Sequence, residues 1–206
     1  KFNNLDHSWW DPEGPLKSLH DINPRRIEYI KEFTELKGCV ACDVGCGGGI
    51  LTEGLASQGA HASGIDAAEN LINIAKQHAL DSGQNIDYRV ELSNVTAAAH
   101  EETFDLVTCL ELIEHVPDPE ALIGDCAKLL KPGGTLVIST LNRNPASYAL
   151  GILAAEYILK LLPIGTHDYS RFLKPSEIAK WARSSSLKLQ DVSGLYYNPL
   201  TRSTRI

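Results

Sequence analysis

Between Asp43 and Gly49 the sequence reads Asp-Val-Gly-Cys-Gly-Gly-Gly, with a short apolar run at Cys39 to Val44 before the glycines and a helical pattern at Ile50 to Gln58 after them. Gly45, Gly47 and Gly49 leave a strand end without side chains. A ligand can then lie close to the backbone, and N–H groups at the start of the next helix can face a carboxylate or phosphate. A turn needed only for packing does not require four glycines in five positions. About twenty residues further on, Asp66 ends the next apolar run, where its carboxylate is placed to accept hydrogen bonds from ribose hydroxyls.

The spacing narrows the ligand. A dinucleotide fingerprint would put its third glycine at position 50, where Ile50 stands. Gly-x-Gly-x-Gly preceded by Asp43 favours S-adenosylmethionine over a nicotinamide dinucleotide, whereas Asp66 suits both. A nicotinamide-dependent oxidoreductase stands as the alternative, disfavoured by Ile50 and by the lack of an obvious hydride-transfer partner. A further alternative is a non-catalytic binding module with the same fold.

A second constellation follows the fourth apolar run, at Leu110-Glu111-Leu112-Ile113-Glu114-His115. If a helical turn begins there, Glu111 is three residues from Glu114 and four from His115, so all three project from one face. Two carboxylates and an imidazole suit Mg²⁺, Mn²⁺ or Zn²⁺, with positions left for substrate oxygens. The plainer readings are solvated acids at a helix start, or His115 as a general base without metal. Leu110 is expected to pack along the adenine of the cofactor. His167, in Gly-Thr-His-Asp, is either a further ligand or base for this site or a surface-loop histidine.

The elements that must position these groups alternate. Strands are expected at Cys39 to Val44, His61 to Ile65, Ile86 to Val90, Phe104 to Cys109 and Thr135 to Thr140. Helices are expected at Ile50 to Gln58, Ala68 to Ser82 and Pro119 to Leu130, with Lys131-Pro132-Gly133-Gly134 as a tight turn. Asn23-Pro24 predicts the cap and first turn of a front helix over about 23–36. Another helix starts at Lys174-Pro175 and a last strand lies near Leu187 to Val192. This pattern predicts an α/β, Rossmann-like domain over residues 1–206, a mostly parallel sheet with helices on both faces and its ligand beyond the carboxyl ends of the strands.

One segment breaks the rhythm. An apolar insertion covers about 145–166; within it Tyr148 to Leu162 carries only Glu156 and Lys160 as charges, one helical turn apart. It predicts a helix that packs in the core or lies in a membrane interface, where it would reach a substrate with a lipid tail. No apolar run reaches the roughly 18 residues that span a bilayer. A net charge of -7 and the lack of a basic run with aromatics argue against nucleic acid as a partner. Five irregularly spaced cysteines point to reduced thiols rather than a disulfide framework. Cys39 and Cys42 should face opposite sides of their strand, which disfavours a metal site built on them. The sequence begins at Lys1 and holds no Met, so the natural N-terminus is expected upstream.

The strings DVGCGGGILTEGLASQGAHASGID, ELIEHVPDP, LLKPGG, STLNRN, AEYILK, GTHD and YYNP occur in this order, and with WWDPEG at Trp9 they reach from there to Asn198. Together they resemble the ubiquinone biosynthesis O-methyltransferases, which methylate polyprenylated catechols. The resemblance implies a class I S-adenosylmethionine-dependent methyltransferase fold, with S-adenosylhomocysteine as product. It implies that Arg26, Gly45, Asp66 and Leu110 contact the cofactor, and that Glu111, Glu114 and His115 bind a divalent cation, commonly Mg²⁺, that assists the reaction. The expected substrates are polyprenylated catechol intermediates and demethylubiquinol, and the expected partners a membrane surface and other ubiquinone-biosynthesis proteins. The expected place is the bacterial cytoplasm, peripheral on the inner membrane, or the matrix side of the mitochondrial inner membrane. Family members continue past YYNP into a last strand, so the sheet is expected to be incomplete at Ile206.

Overall fold

The structure, a computed structural model, describes residues 8–143, 172–199 and 201–206. The expected insertion at 145–166 and His167 lie outside these residues. Five short strands, β1 Val40–Val44, β2 His61–Asp66, β3 Asp87–Val90, β4 Phe104–Leu110 and β5 Leu130–Ser139, form one sheet in the order β3-β2-β1-β4-β5. All four pairings are parallel, as strands joined by helical crossovers require.

Both faces are covered. α1 (Lys17–Lys31) and α2 (Ile50–Ser57) bring Ile30, Leu51 and Leu55 against Cys39, Ala41 and Leu106. On the other face α5 (Pro119–Leu129) brings Ile123, Cys126 and Leu129 against Cys42, Val44, Val107 and Cys109, with Ile178 and Trp181 of α6 (Pro175–Ser184) behind them. Cys39 and Cys42 thus face opposite sides, as strand alternation dictates, and all five cysteines are free and buried. α3 (Glu69–Asp81) packs Ile72, Ala75 and Ala79 around Tyr88 of β3, and α4 (Ser93–Ala99) contacts α5.

Three expectations about elements need correction. The front helix starts at Lys17, so Pro24 lies inside it and Asn23 is not its cap. Proline's fixed φ suits a helix and costs one hydrogen bond, while Asn23 Nδ2 instead donates to the Ile50 carbonyl at 3.0 Å, joining α1 to α2. Lys131 to Gly134 is not a turn ahead of β5 but a bulge within it, where the register jumps from Leu130 to Thr135 against Phe104 and Leu106. Residues 187–192 form no strand: no described strand pairs with them, and Leu189 and Val192 are exposed. The chain continues into an antiparallel pair, β6 Tyr196–Asn198 and β7 Ser203–Arg205, tied to α1. Tyr197 Oη donates to Asp21 at 2.7 Å, and Arg202 donates to the same carboxylate at 2.8 and 2.9 Å.

No helix among the described residues is long and apolar enough to cross a membrane.

Candidate active site

The sheet order reverses between β1 and β4, whose connections leave in opposite directions, and the crevice there opens at their carboxyl ends. The glycine loop sits at the end of β1. Gly45, Gly47 and Gly49 have φ of 77°, 54° and 93°, the left-handed region that other residues enter at a cost. Their missing side chains are matched by neighbouring protein. A Cβ on Gly45 would lie 2.6 Å from Leu112 Cδ2, and one on Gly49 would collide with the Tyr88 hydroxyl.

Asp43 lies buried at the foot of the loop, 3% exposed. Its two oxygens accept from Thr52 Oγ1 of α2 at 2.8 Å and Thr108 Oγ1 of β4 at 2.7 Å. Burial pushes its pKa up, against those two hydrogen bonds and the nearby Arg26 charge, which pull it down. Asp43 therefore fastens β1, α2 and β4 together under the crevice. Asp66, at the end of β2, accepts from Gly47 N–H at 3.0 Å and from Ala68 N–H at 2.8 Å, which fixes its carboxylate beside the loop. Leu110 is half-buried at the end of β4 and packs against the cluster that holds Leu106.

Arg26 reaches this crevice from α1 and forms an ion pair with Glu111, its side chain 10% exposed. Glu111 is not part of a helical turn with Glu114 and His115, as the spacing had suggested. Its φ of 56° turns the chain out of helical geometry, and a 3-10 turn covers only Ile113–His115. Glu114 is buried and accepts from Thr140 Oγ1 at 2.9 Å, whereas His115 is exposed. Among the described residues, no group of three or more His, Cys, Asp or Glu side chains is placed to hold a metal ion. The donors as arranged do not fit a divalent cation, because Glu111 is turned to a guanidinium and Glu114 to a hydroxyl.

The sequence pattern brought the loop, Asp66 and the Glu111 to His115 run to one end of the sheet, and the family resemblance added Arg26; the structure places all of them there. Sequence reasoning missed Thr52 and Thr108, and also Trp9 and Trp10, which pack on the glycine loop. Two adjacent tryptophans in an otherwise polar N-terminal segment were the available signal.

A family model described as a methyltransferase domain matches residues 19–191. The solved magnesium protoporphyrin IX methyltransferase from Synechocystis PCC 6803, with bound S-adenosylhomocysteine, superposes with a TM-score of 0.67 at 21% identity, covering 88% of this chain and 78% of that one. That likeness is one of fold. The glycine loop, the parallel sheet and the domain match define a Rossmann-like, class I S-adenosylmethionine-dependent methyltransferase. Over 202 residues the chain is 51% identical to the ubiquinone biosynthesis O-methyltransferase of Dechloromonas aromatica, covering 98% of this chain and 87% of the relative. Over 206 residues it is 50% identical to that of Stutzerimonas stutzeri, covering 100% and 89%. The chain belongs to the ubiquinone biosynthesis O-methyltransferase family. The nicotinamide and binding-module alternatives give way to an S-adenosylmethionine-dependent O-methyltransferase.

Proposed function

We propose that the acceptor is a catechol hydroxyl of a polyprenylated ubiquinone precursor, methylated in the crevice between the ends of β1 and β4. The observation that carries this reading is the meeting of two sets of groups at that crevice. Arg26 and Asp66 flank the glycine loop, and Glu111, Glu114 and His115 follow β4. Asp66 would accept from the ribose hydroxyls, Leu110 would lie along the adenine, and Arg26 would pair with the cofactor's carboxylate in place of Glu111. Gly45, Gly47 and Gly49 let the methionine end approach the backbone, over a floor that Asp43 holds rigid.

In the reaction a phenolic oxygen attacks the sulfonium methyl. A C–O bond forms, the C–S bond breaks with its electron pair staying on sulfur, and the phenolic proton passes to a base. His115, exposed at the rim, is the base in this reading, and alignment of oxygen, methyl and sulfur supplies the remainder. The Mg²⁺ that the family resemblance implies would need Glu111 and Glu114 to leave their present partners.

The test is methyl transfer to a short-chain catechol analogue, with and without Mg²⁺ and with a strong chelator. One methyl ether per S-adenosylhomocysteine formed is expected, and no transfer sinks the acceptor assignment. His115→Ala should lower kcat about 100-fold or more while S-adenosylhomocysteine still binds. Chelator-resistant activity leaves His115 acting alone, whereas loss restored by Mg²⁺ puts the cation at a rearranged cluster.

We further propose that the enzyme works at the inner face of a bacterial inner membrane, where a polyprenyl tail would stay in lipid. The bacterial origin of the reported relatives and the apolar stretch at 145–166 support this.

A further inference from the structure

The glycine loop is gripped by the N-terminal turn that precedes α1. Trp10 Nε1 donates to the Gly48 carbonyl at 3.0 Å. The long edge of the Trp9 indole runs along Gly47 and Gly48. A Cβ on Gly47 would lie 2.8 Å from Trp9 Cζ2, and one on Gly48 would collide with the indole nitrogen. Two of the loop's glycines are therefore shaped to an indole. Trp9 is itself 7% exposed, packed with Leu16, Ile50 and Leu71.

Trp10 is braced in turn. Its ring stacks on His78 of α3, with centroids 3.5 Å apart and planes 1° from parallel. His78 Nδ1 lies 2.9 and 3.0 Å from the two oxygens of Glu53, which is 4% exposed and also accepts from Ser82 Oγ at 3.2 Å. Glu53 stands in the first turn of α2, the helix that begins where the loop ends. The contacts run from loop to Trp10, to His78, to Glu53 and back to the foot of the loop.

Glycines lose more backbone freedom on ordering than other residues, so a loop with four of them is expensive to fix when a ligand arrives. A loop already fixed spares the ligand that cost. We propose that Trp10, backed by His78 and Glu53 and flanked by Trp9, is a positioning residue. It holds the glycine loop in its binding shape in the cofactor-free protein and so sets the affinity for S-adenosylmethionine. This rests on the cofactor site and is independent of the acceptor.

Two variants separate the contacts: Trp10→Phe keeps the stack and loses the donor, and Trp10→Leu loses both. Calorimetry with S-adenosylhomocysteine, hydrogen exchange of amides 45–51 in the cofactor-free protein, and kcat and KM for S-adenosylmethionine are measured together. Trp10→Phe should weaken binding about threefold and Trp10→Leu about tenfold, the range one hydrogen bond and one aromatic stack command. Exchange at 45–51 should speed up in the same order, and the loss should fall on KM rather than kcat. Wild-type affinity and wild-type exchange in both variants overturn the proposal, as does a fall in kcat at unchanged KM. A wild-type protein that does not bind S-adenosylhomocysteine overturns the cofactor site beneath it.

Discussion

A buried carboxylate with two hydroxyl donors, such as Asp43, makes its own pH dependence. Burial holds its folded pKa above the ordinary carboxylate value. The folded chain therefore keeps the proton to higher pH than the unfolded one, and the resulting stability is present in acid and lost as pH rises through the folded pKa. The hydrogen bond from Thr108 works the other way, since it favours the charged form. Thr108→Val should cost about 1–3 kcal/mol in urea denaturation, more near neutral pH than in mildly acidic buffer. A cost that does not vary with pH would refute this account. None of it was legible in the sequence beyond the acid's presence before the glycines. The partners sit 9 and 65 residues away and are set by packing. Glu111 was misread for a related reason, because a left-handed φ in a residue other than glycine leaves no mark in composition.

Among the elements, the strands of the sheet were the most legible. β1 and β4, buried along most of their length, read as short apolar runs. α1 was misjudged because proline usually opens a helix, whereas here the helix begins about two turns earlier, where His20 Nε2 meets the Trp9 carbonyl at 2.9 Å. α4 went unseen because Ser-Asn-Val-Thr-Ala-Ala-Ala carries one large apolar residue, Val95, and that residue is exposed. Segment 187–192 has a strand's pattern, but a strand needs a neighbour, and pairing is a long-range property. The β6–β7 pair depends instead on α1 through Asp21. Hydrogen bonds from Arg202 hold that carboxyl below its usual value. Its contribution is present above the ordinary carboxylate range and lost as pH falls through the folded pKa. With Arg202 39% exposed, solvent screening keeps this contribution small. Asp21→Asn should speed hydrogen exchange at 196–198 and 203–205 and leave β1 and β4 protected. Equal protection of the hairpin would show that packing alone holds it.

At the scale of the whole molecule, a net charge of -7 and an apolar stretch at 145–166 pull in opposite directions at a lipid surface. In the proposed membrane reading, anionic headgroups repel the first, while the hydrocarbon boundary attracts the second. Sedimentation with liposomes should accordingly survive high salt, and Leu153→Asp with Ile158→Asp should reduce it without changing S-adenosylhomocysteine affinity. Sedimentation unaltered by the two substitutions would assign the stretch to the protein interior.

Four of the five thiols divide between the two sides of the sheet, Cys39 on one and Cys42, Cys109 and Cys126 on the other, while Cys46 lies in the glycine loop against α3, and the Cys42 thiol is pushed up to about 12 by burial. A thiolate dye in neutral solution finds such sulfur only when a helix lifts away. Labelling therefore becomes a clock of sheet opening, with the chain as its own reporter. Residue-resolved mass spectrometry would time the Cys39 side and the Cys126 side separately, and so record which layer of this domain breathes first.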